Sequence, residues 1–236
     1  MNFNHKLMNN NYTHRDMVAI KRLLKNKNII LTQSKKVEEF EKKWSKWLNV
    51  KYSTFVNSGS SANYISISIL KALNKNKNKN EIIVPSLTWV SDINSVIMNG
   101  FKPVFVDIDK NTMNINAKSI PSAISNRTRA IIPVHFGGHP CEMEKIMPWA
   151  RKKNLIVIED CAETCGGFYK GKKLGTWGDF GCFSFEEKKI MTTGDGGMIV
   201  TNNKKKIKKL RAFSFHGWNK DPYLRHKKSI SKKKAS

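Results

Sequence analysis

The chain has 236 residues, 43 of them Lys or Arg and 18 Asp or Glu, which gives a net charge of +25 and a pI near 10.0. A chain of this length buries one sizeable core, and so large a basic excess usually marks a polyanionic partner. Here the lysines are scattered among asparagines, as in Lys71-Ala-Leu-Asn-Lys-Asn-Lys-Asn-Lys-Asn80 and Asn202-Asn-Lys-Lys-Lys206. No zinc finger, RNA-binding aromatic motif or arginine-rich arm accompanies them, so no nucleic-acid partner is expected.

No window reaches the roughly 18 apolar residues of a membrane span, and the start Met1-Asn-Phe-Asn-His-Lys6 lacks an apolar signal core. Cys141, Cys161, Cys165 and Cys182 include no Cys-x-x-Cys pair, which suits reduced thiols rather than disulfides or a metal knot. The expectation is a soluble cytoplasmic protein with no membrane partner.

Taken in chain order, residues 1–30 read as an N-terminal arm with a first helix. A second helix spans 36–48, where Val37, Phe40, Trp44, Trp47 and Leu48 recur on one face and Glu38, Glu39, Lys42 and Lys43 cover the other. A short strand at 53–56 turns through Val56-Asn-Ser-Gly-Ser-Ser-Ala62 into a helix near 61–73. Strands follow near 81–84, 103–107, 130–135, 155–159, 181–185 and 197–201, separated by helices near 89–99, 141–153 and 203–213. This alternation predicts an α/β fold with a mostly parallel sheet of about seven strands covered by helices.

Three stretches carry chemistry. Phe183-Ser-Phe-Glu-Glu-Lys-Lys-Ile-Met-Thr-Thr-Gly-Asp-Gly-Gly197 places a lysine in a polar, glycine-bounded loop after an apolar strand. Such an amine becomes a nucleophile only if burial, a neighbouring cation or a carbonyl partner frees its lone pair from a pKa near ~10.4; a solvated Lys-Lys pair in a surface turn is the structural alternative. Asn154-Leu-Ile-Val-Ile-Glu-Asp160 reads as a buried parallel strand delivering Asp160 to the crevice where open α/β sheets bind ligands. That carboxylate either pairs with a cationic cofactor atom or caps the next helix. In the serine turn, backbone amides, hydroxyls and a helix N-terminus form an anion cup worth ~0.3–1 kcal/mol from the dipole, unless Ser60 or Ser61 is a plain N-cap.

An imine-forming lysine, an acid and a phosphate cup are the inventory of a pyridoxal phosphate site. With Val37-Glu-Glu-Phe-Glu41, Pro85-Ser-Leu-Thr-Trp-Val90, Pro103-Val-Phe-Val-Asp-Ile-Asp109, Glu159-Asp-Cys-Ala-Glu163 and Gly175-Thr-Trp-Gly-Asp179 in the same order, the chain resembles the sugar aminotransferases of the DegT/DnrJ/EryC1/StrS family. These lie within the fold-type I aspartate aminotransferase superfamily. The resemblance runs from about residue 30 to residue 221 and implies the fold-type I large domain over 31–215.

Position by position, the resemblance implies Lys189, five residues after Ser184, as the Schiff-base lysine, with Lys188 a solvated neighbour that disfavours a charged Lys189. It implies Asp160 as the acid on the pyridine nitrogen, and Ser184, Ser60 and Ser61 as phosphate contacts. Trp89 is implied to stack on the ring, for roughly 0.5–1.5 kcal/mol beyond its area, and Glu163 to lie against the ring and its 3-hydroxyl. A purely core role for Trp89 is the alternative. The implied activity is transfer of an amino group from an amino acid donor, glutamate in most relatives, to a keto group of a nucleotide-linked 4-keto-6-deoxy sugar for cell-surface polysaccharide or O-antigen synthesis, by a homodimer.

The family also holds dehydratases with histidine where the aminotransferases keep lysine. The Asn57-Ser-Gly-Ser-Ser-Ala-Asn63 wording is similar to theirs, whereas Lys189 favours transfer. Relatives continue past His216-Gly-Trp-Asn-Lys-Asp221 into a small C-terminal domain, whereas 216–236 here is a basic tail without a core pattern. The sequence therefore leads one to expect a C-terminally truncated member: a fragment or frameshift product, a chain completed by another, or an inactive cofactor-binding remnant.

Overall fold

The structure, a computed structural model, describes residues 11–27, 30, 32–74 and 76–217. The N-terminal hexapeptide and nearly all of the 216–236 tail lie outside them. Helix α1 (His14–Leu24) opens with a capping box in which Thr13 and Asp16 each accept from the other's backbone N–H, and α2 (Lys35–Leu48) is capped by Ser34 and stopped by left-handed Asn49. There follow β1 (Tyr52–Val56), α3 (Gly59–Leu73), β2 (Glu81–Pro85), α4 (Val90–Met98), β3 (Lys102–Val106), the single turn α5 (Ile120–Ala123), β4 (Thr128–Ile131), α6 (Met143–Lys152) and β5 (Ile156–Asp160). A hairpin β6 (Phe168–Tyr169) and β7 (Lys172–Lys173) precedes β8 (Phe180–Ser184), β9 (Gly197–Thr201) and α7 (Lys204–Phe213).

Seven strands form one sheet in the order β1-β9-β8-β5-β4-β2-β3. Neighbours from β8 to β3 are parallel, while β9 is antiparallel to both β8 and β1. Six strands therefore run one way, and the segments leaving β1, β2, β5 and β8 all emerge at the same edge. That edge is where an open α/β sheet binds its ligand.

Alternation along the central strands explains the layering. Ile82, Val84, Ala130, Ile132 and Ile158 pack on one face with Leu70, Val96, Ile207 and Leu210 of α3, α4 and α7. The intervening Ile83, Ile131 and Val157 pack on the other with Ile120, Met143, Ile146 and Ala150 of α5 and α6. A third cluster joins Trp44 and Leu48 of α2 to Phe183 and Phe185, with Trp44 edge-on to both phenylalanines at 5.1 and 5.0 Å. Each buried ring there contributes roughly 1.5–3 kcal/mol. Among the described residues no helix is long and apolar enough to cross a membrane.

All seven expected strands are present, six with shifted ends and β9 at the expected 197–201. The fourth stops at Ile131 instead of residue 135, because beyond it the chain makes only a single bridge, Val134 to Asp160. Helix α3 starts two residues before the expected 61, since Ser58 caps it. On α2 the apolar face is rotated from expectation: Trp47 is exposed and Glu41 is buried. Glu41 lies four residues after Val37 and three before Trp44, on the buried side; its Oε1 accepts the Phe55 N–H at 2.8 Å and the Arg211 guanidinium lies 3.6 Å from Oε2, which satisfies the buried carboxyl. The β6–β7 hairpin was not anticipated; its turn uses Lys170 and Gly171 at positive φ.

Candidate active site

The serine turn, the Trp89 loop, Asp160 and the lysine loop leave the sheet at its common edge. The link between the first and last is direct. Gly59, the first residue of α3, sits so close to β8 that a Cβ there would lie 2.7 Å from Ser184 Cβ, and Gly197 approaches the Ser58 carbonyl just as closely. Only glycines allow the helix N-terminus to dock on the end of β8. The Ser58 hydroxyl accepts the Ser61 N–H and donates to Ser61 Oγ, both at 3.1 Å. Neither Ser60 nor Ser61 is the N-cap; both lie in the first turn with Ser184 alongside, and Ser60 is exposed.

Asp160 ends β5, paired in register with Cys182, two residues before Ser184. It caps no helix: Oδ1 accepts the Ala162 N–H at 2.8 Å within the turn that carries Glu163. Its Oδ2 accepts a hydrogen bond from Asn63 Nδ2 at 2.6 Å, and the same nitrogen donates to Asp92 Oδ1 at 2.7 Å. Thr88 donates to the other Asp92 oxygen. Asn63, Asp92 and Asp160 are all buried. Burial, followed by the charge of Asp160, holds the Asp92 carboxyl well above the usual carboxylate range.

The lysine loop is a long hairpin connection between β8 and β9. Phe185 closes its base, donating its N–H to Gly196 and accepting from Thr193 N–H and Thr192 Oγ1. At the tip, Lys189 is 27% exposed with Nζ 3.9 Å from Glu163 Oε1, whereas Lys188 is exposed. Glu163 is itself fixed, its Oε2 accepting the Gly137 N–H at 2.6 Å. Asn11 donates to the Lys189 carbonyl at 2.6 Å, which lays the segment before α1 across the loop. Trp89 is 72% exposed at the start of α4, so the core reading of this tryptophan does not hold.

A buried trio of His135, Glu159 and Cys161 has metal-ligand spacing, but its hydrogen bonds argue for a structural role. His135 Nδ1 accepts the Cys141 N–H at 3.1 Å, so Nε2 carries the proton and faces Glu159 at 3.3 Å without a free lone pair. Glu159 also receives the Gly175 and Gly178 N–H groups, and burial pushes the Cys161 thiol far up.

The sequence reading named Lys189, Asp160, Glu163, Trp89, Ser184, Ser60 and Ser61, and the fold brings all of them to one edge. It missed Asp92, Asn63 and Thr88. An acid in the first turn of a helix is ordinary, and only its position on a helix otherwise flanked by Val90, Ile93 and Val96 hinted that it is buried.

The comparisons agree with this geometry. Residues 11–233 match the DegT/DnrJ/EryC1/StrS aminotransferase family. GDP-perosamine synthase from Escherichia coli O157:H7 is 43% identical over 71% of this chain and 45% of its own length. Among solved structures, Helicobacter pylori PseC, an aminotransferase involved in the biosynthesis of pseudaminic acid, superposes with a TM-score of 0.82 at 30% identity, over 90% of this chain and 56% of that one. The E. coli GDP-4-keto-6-deoxy-D-mannose-3-dehydratase with bound hydrated PLP gives 0.79 at 29% identity, over 89% and 53%. The chain thus spans about half the length of the relatives it matches. It belongs to the DegT/DnrJ/EryC1/StrS aminotransferase family.

Proposed function

We propose that the chain is the cofactor-binding half of a pyridoxal-phosphate-dependent sugar aminotransferase, moving an amino group from an amino acid, glutamate in the first instance, to a keto group of a nucleotide-linked 4-keto-6-deoxy sugar. The observation that carries this is the half-buried Lys189 amine facing Glu163 at the sheet edge where Asp160 ends its strand. The residues suit the cofactor. An anion cup at the start of α3 stands beside Ser184, a carboxylate with two N–H donors lies deeper in the edge, and a tryptophan presents a bare face.

When bound, pyridoxal phosphate supplies an electron sink and a carbonyl for amine exchange. The chain's own groups divide the remaining work. The α3 amides with Ser60, Ser61 and Ser184 hold the phosphate, and the helix N-terminus favours its charge. Asp160 would be the carboxylate that pairs with the cofactor's protonated ring nitrogen. Trp89, whose ring is exposed, would stack on the cofactor and exclude water. Lys189 Nζ would be the nucleophile toward the cofactor's carbonyl and would hold and hand on the proton at Nζ. Glu163 positions that amine through the contact its Gly137 hydrogen bond fixes. A lysine rather than a histidine at this position favours transfer over dehydration. The working form is proposed to be a cytoplasmic homodimer, and the domain limits 1–30, 31–215 and 216–236 are kept as its working division.

The test adds pyridoxal phosphate to the purified chain and follows the near-visible absorbance, with Lys189→Ala in parallel. A band that disappears in the variant supports the assignment; no band in either would sink it. Glutamate and a 4-keto-6-deoxy nucleotide sugar are then supplied and products weighed by mass spectrometry. An aminated sugar supports transfer, a deoxygenated one dehydration, and neither leaves a cofactor-binding remnant.

A further inference from the structure

We propose that Asp92 is a positioning residue for Asp160: the two buried carboxyls hold one proton between them across the Asn63 amide, leaving Asp160 ionised toward a cationic ring nitrogen and Asp92 neutral. The role toward the ring rests on the cofactor reading; the shared proton rests on the geometry alone.

Asn63 Nδ2 has two hydrogens and spends one on each acid, at 2.7 Å to Asp92 and 2.6 Å to Asp160. The amide keeps its donor side on the acids even though Oδ1 is left buried without a hydrogen-bond partner. Two ionised carboxylates flanking a neutral amide inside the protein repel each other and lose their hydration, and among the described residues neither forms an ion pair that offsets this. One proton relieves the repulsion.

The partners decide where it resides. Asp160 takes N–H donors on both oxygens, from Ala162 and Asn63, which favours its charged form. Asp92 is more deeply buried, and although the Thr88 hydroxyl donates to it and favours its charge, burial outweighs that hydrogen bond. The titratable groups facing Asp92 are Asp160 from β5 and, at longer range, Cys182 from β8; α3 contributes neutral Asn63. The first-turn dipole of α4 favours a charge at Asp92, but burial opposes it and is the largest influence on this carboxyl.

The experiment uses the full chain without cofactor, in deuterated buffer at neutral pH, and records the infrared carbonyl stretch of protonated carboxylic acids. One such band is expected that shifts on 13C-aspartate labelling and is lost in Asp92→Asn. Unfolding is followed in parallel against pH. A folded-state Asp above its unfolded value loses stability as pH rises from the unfolded value through the folded one, by up to about tenfold in the unfolding constant per pH unit. Asp92→Asn, compared with the unsubstituted chain, removes that decline. Asp160→Asn, needed if Asp92→Asn does not fold, moves the disappearance of the band to lower pH.

No labelled-aspartate band, or parallel pH curves for parent and Asp92→Asn, overturns the shared proton. Adding pyridoxal phosphate separates the two readings. A band that survives binding supports a neutral Asp92 beside an occupied site, and a band lost on binding overturns the positioning role. A band present in a chain that takes up no pyridoxal phosphate overturns the cofactor reading and leaves the proton pair standing.

Discussion

Gly59 shows how tightly one residue constrains this site. A methyl group there has no room: its nearest neighbours are the Cβ, Oγ and Cα of Ser184 at 2.7, 3.2 and 3.3 Å. Gly59→Ala must push the start of α3 off β8, an overpacking cost of about 1–3 kcal/mol, and it moves the serine turn with it. Denaturant unfolding should show a lower midpoint at unchanged slope, and phosphate or pyridoxal phosphate should bind more weakly. Ser184→Gly in the same chain restores part of the stability, because it removes the two nearest colliding atoms, Cβ and Oγ, and leaves the Cα. That Lys189 and Asp160 lie at the sheet edge was legible in the sequence, because the one follows and the other ends an apolar strand. Asp92 and Asn63 were not, since their meaning comes from a contact across 29 and 97 residues that no local pattern encodes.

At the scale of elements, α7 carries an avoidable electrostatic conflict. Its first turn holds Lys204, Lys205 and Lys206 and no acid, where the helix dipole disfavours positive charge. Two features offset this: Asn203 Oδ1 accepts the Lys205 and Lys206 N–H groups, and Lys206 Nζ pairs with Asp179. Asn203→Ala should therefore cost about 1 kcal/mol, while Lys205→Glu, at an exposed position, should stabilise by about 0.3–1 kcal/mol and lose that gain in high salt. Thermal unfolding at low and high ionic strength reads both. The period of apolar residues located α2, α6 and α7 within a residue or two of their expected spans, because amphipathic helices write their burial into spacing. It failed at Trp47, which is exposed, and assigned no face to the buried Glu41. There, tertiary partners, the Phe55 N–H and Arg211, decide which side is buried.

For the molecule as a whole, the net charge of +25 sets a repulsion that no single substitution relieves. Screening should raise the melting temperature as salt goes from about 10 to about 150 mM, where the Debye length falls from ~30 to ~8 Å. Scanning calorimetry with sodium chloride tests this, and a flat response would show the lysines too dispersed to repel. The class of fold was readable from alternating strands and helices. The reversed direction of β9 was not, because a short apolar run carries no information about which neighbour it will join.

That reversed strand also governs when the sheet can close. Among the described residues, edge strand β1 pairs with β9 alone, Tyr52 opposite Thr201. On the ribosome, β1 must wait for a strand made about 140 residues later. Until Gly197–Thr201 has cleared the exit tunnel, β1 is held through its contacts with α2, such as the Phe55 N–H on Glu41, and lacks the strand that joins it to the sheet.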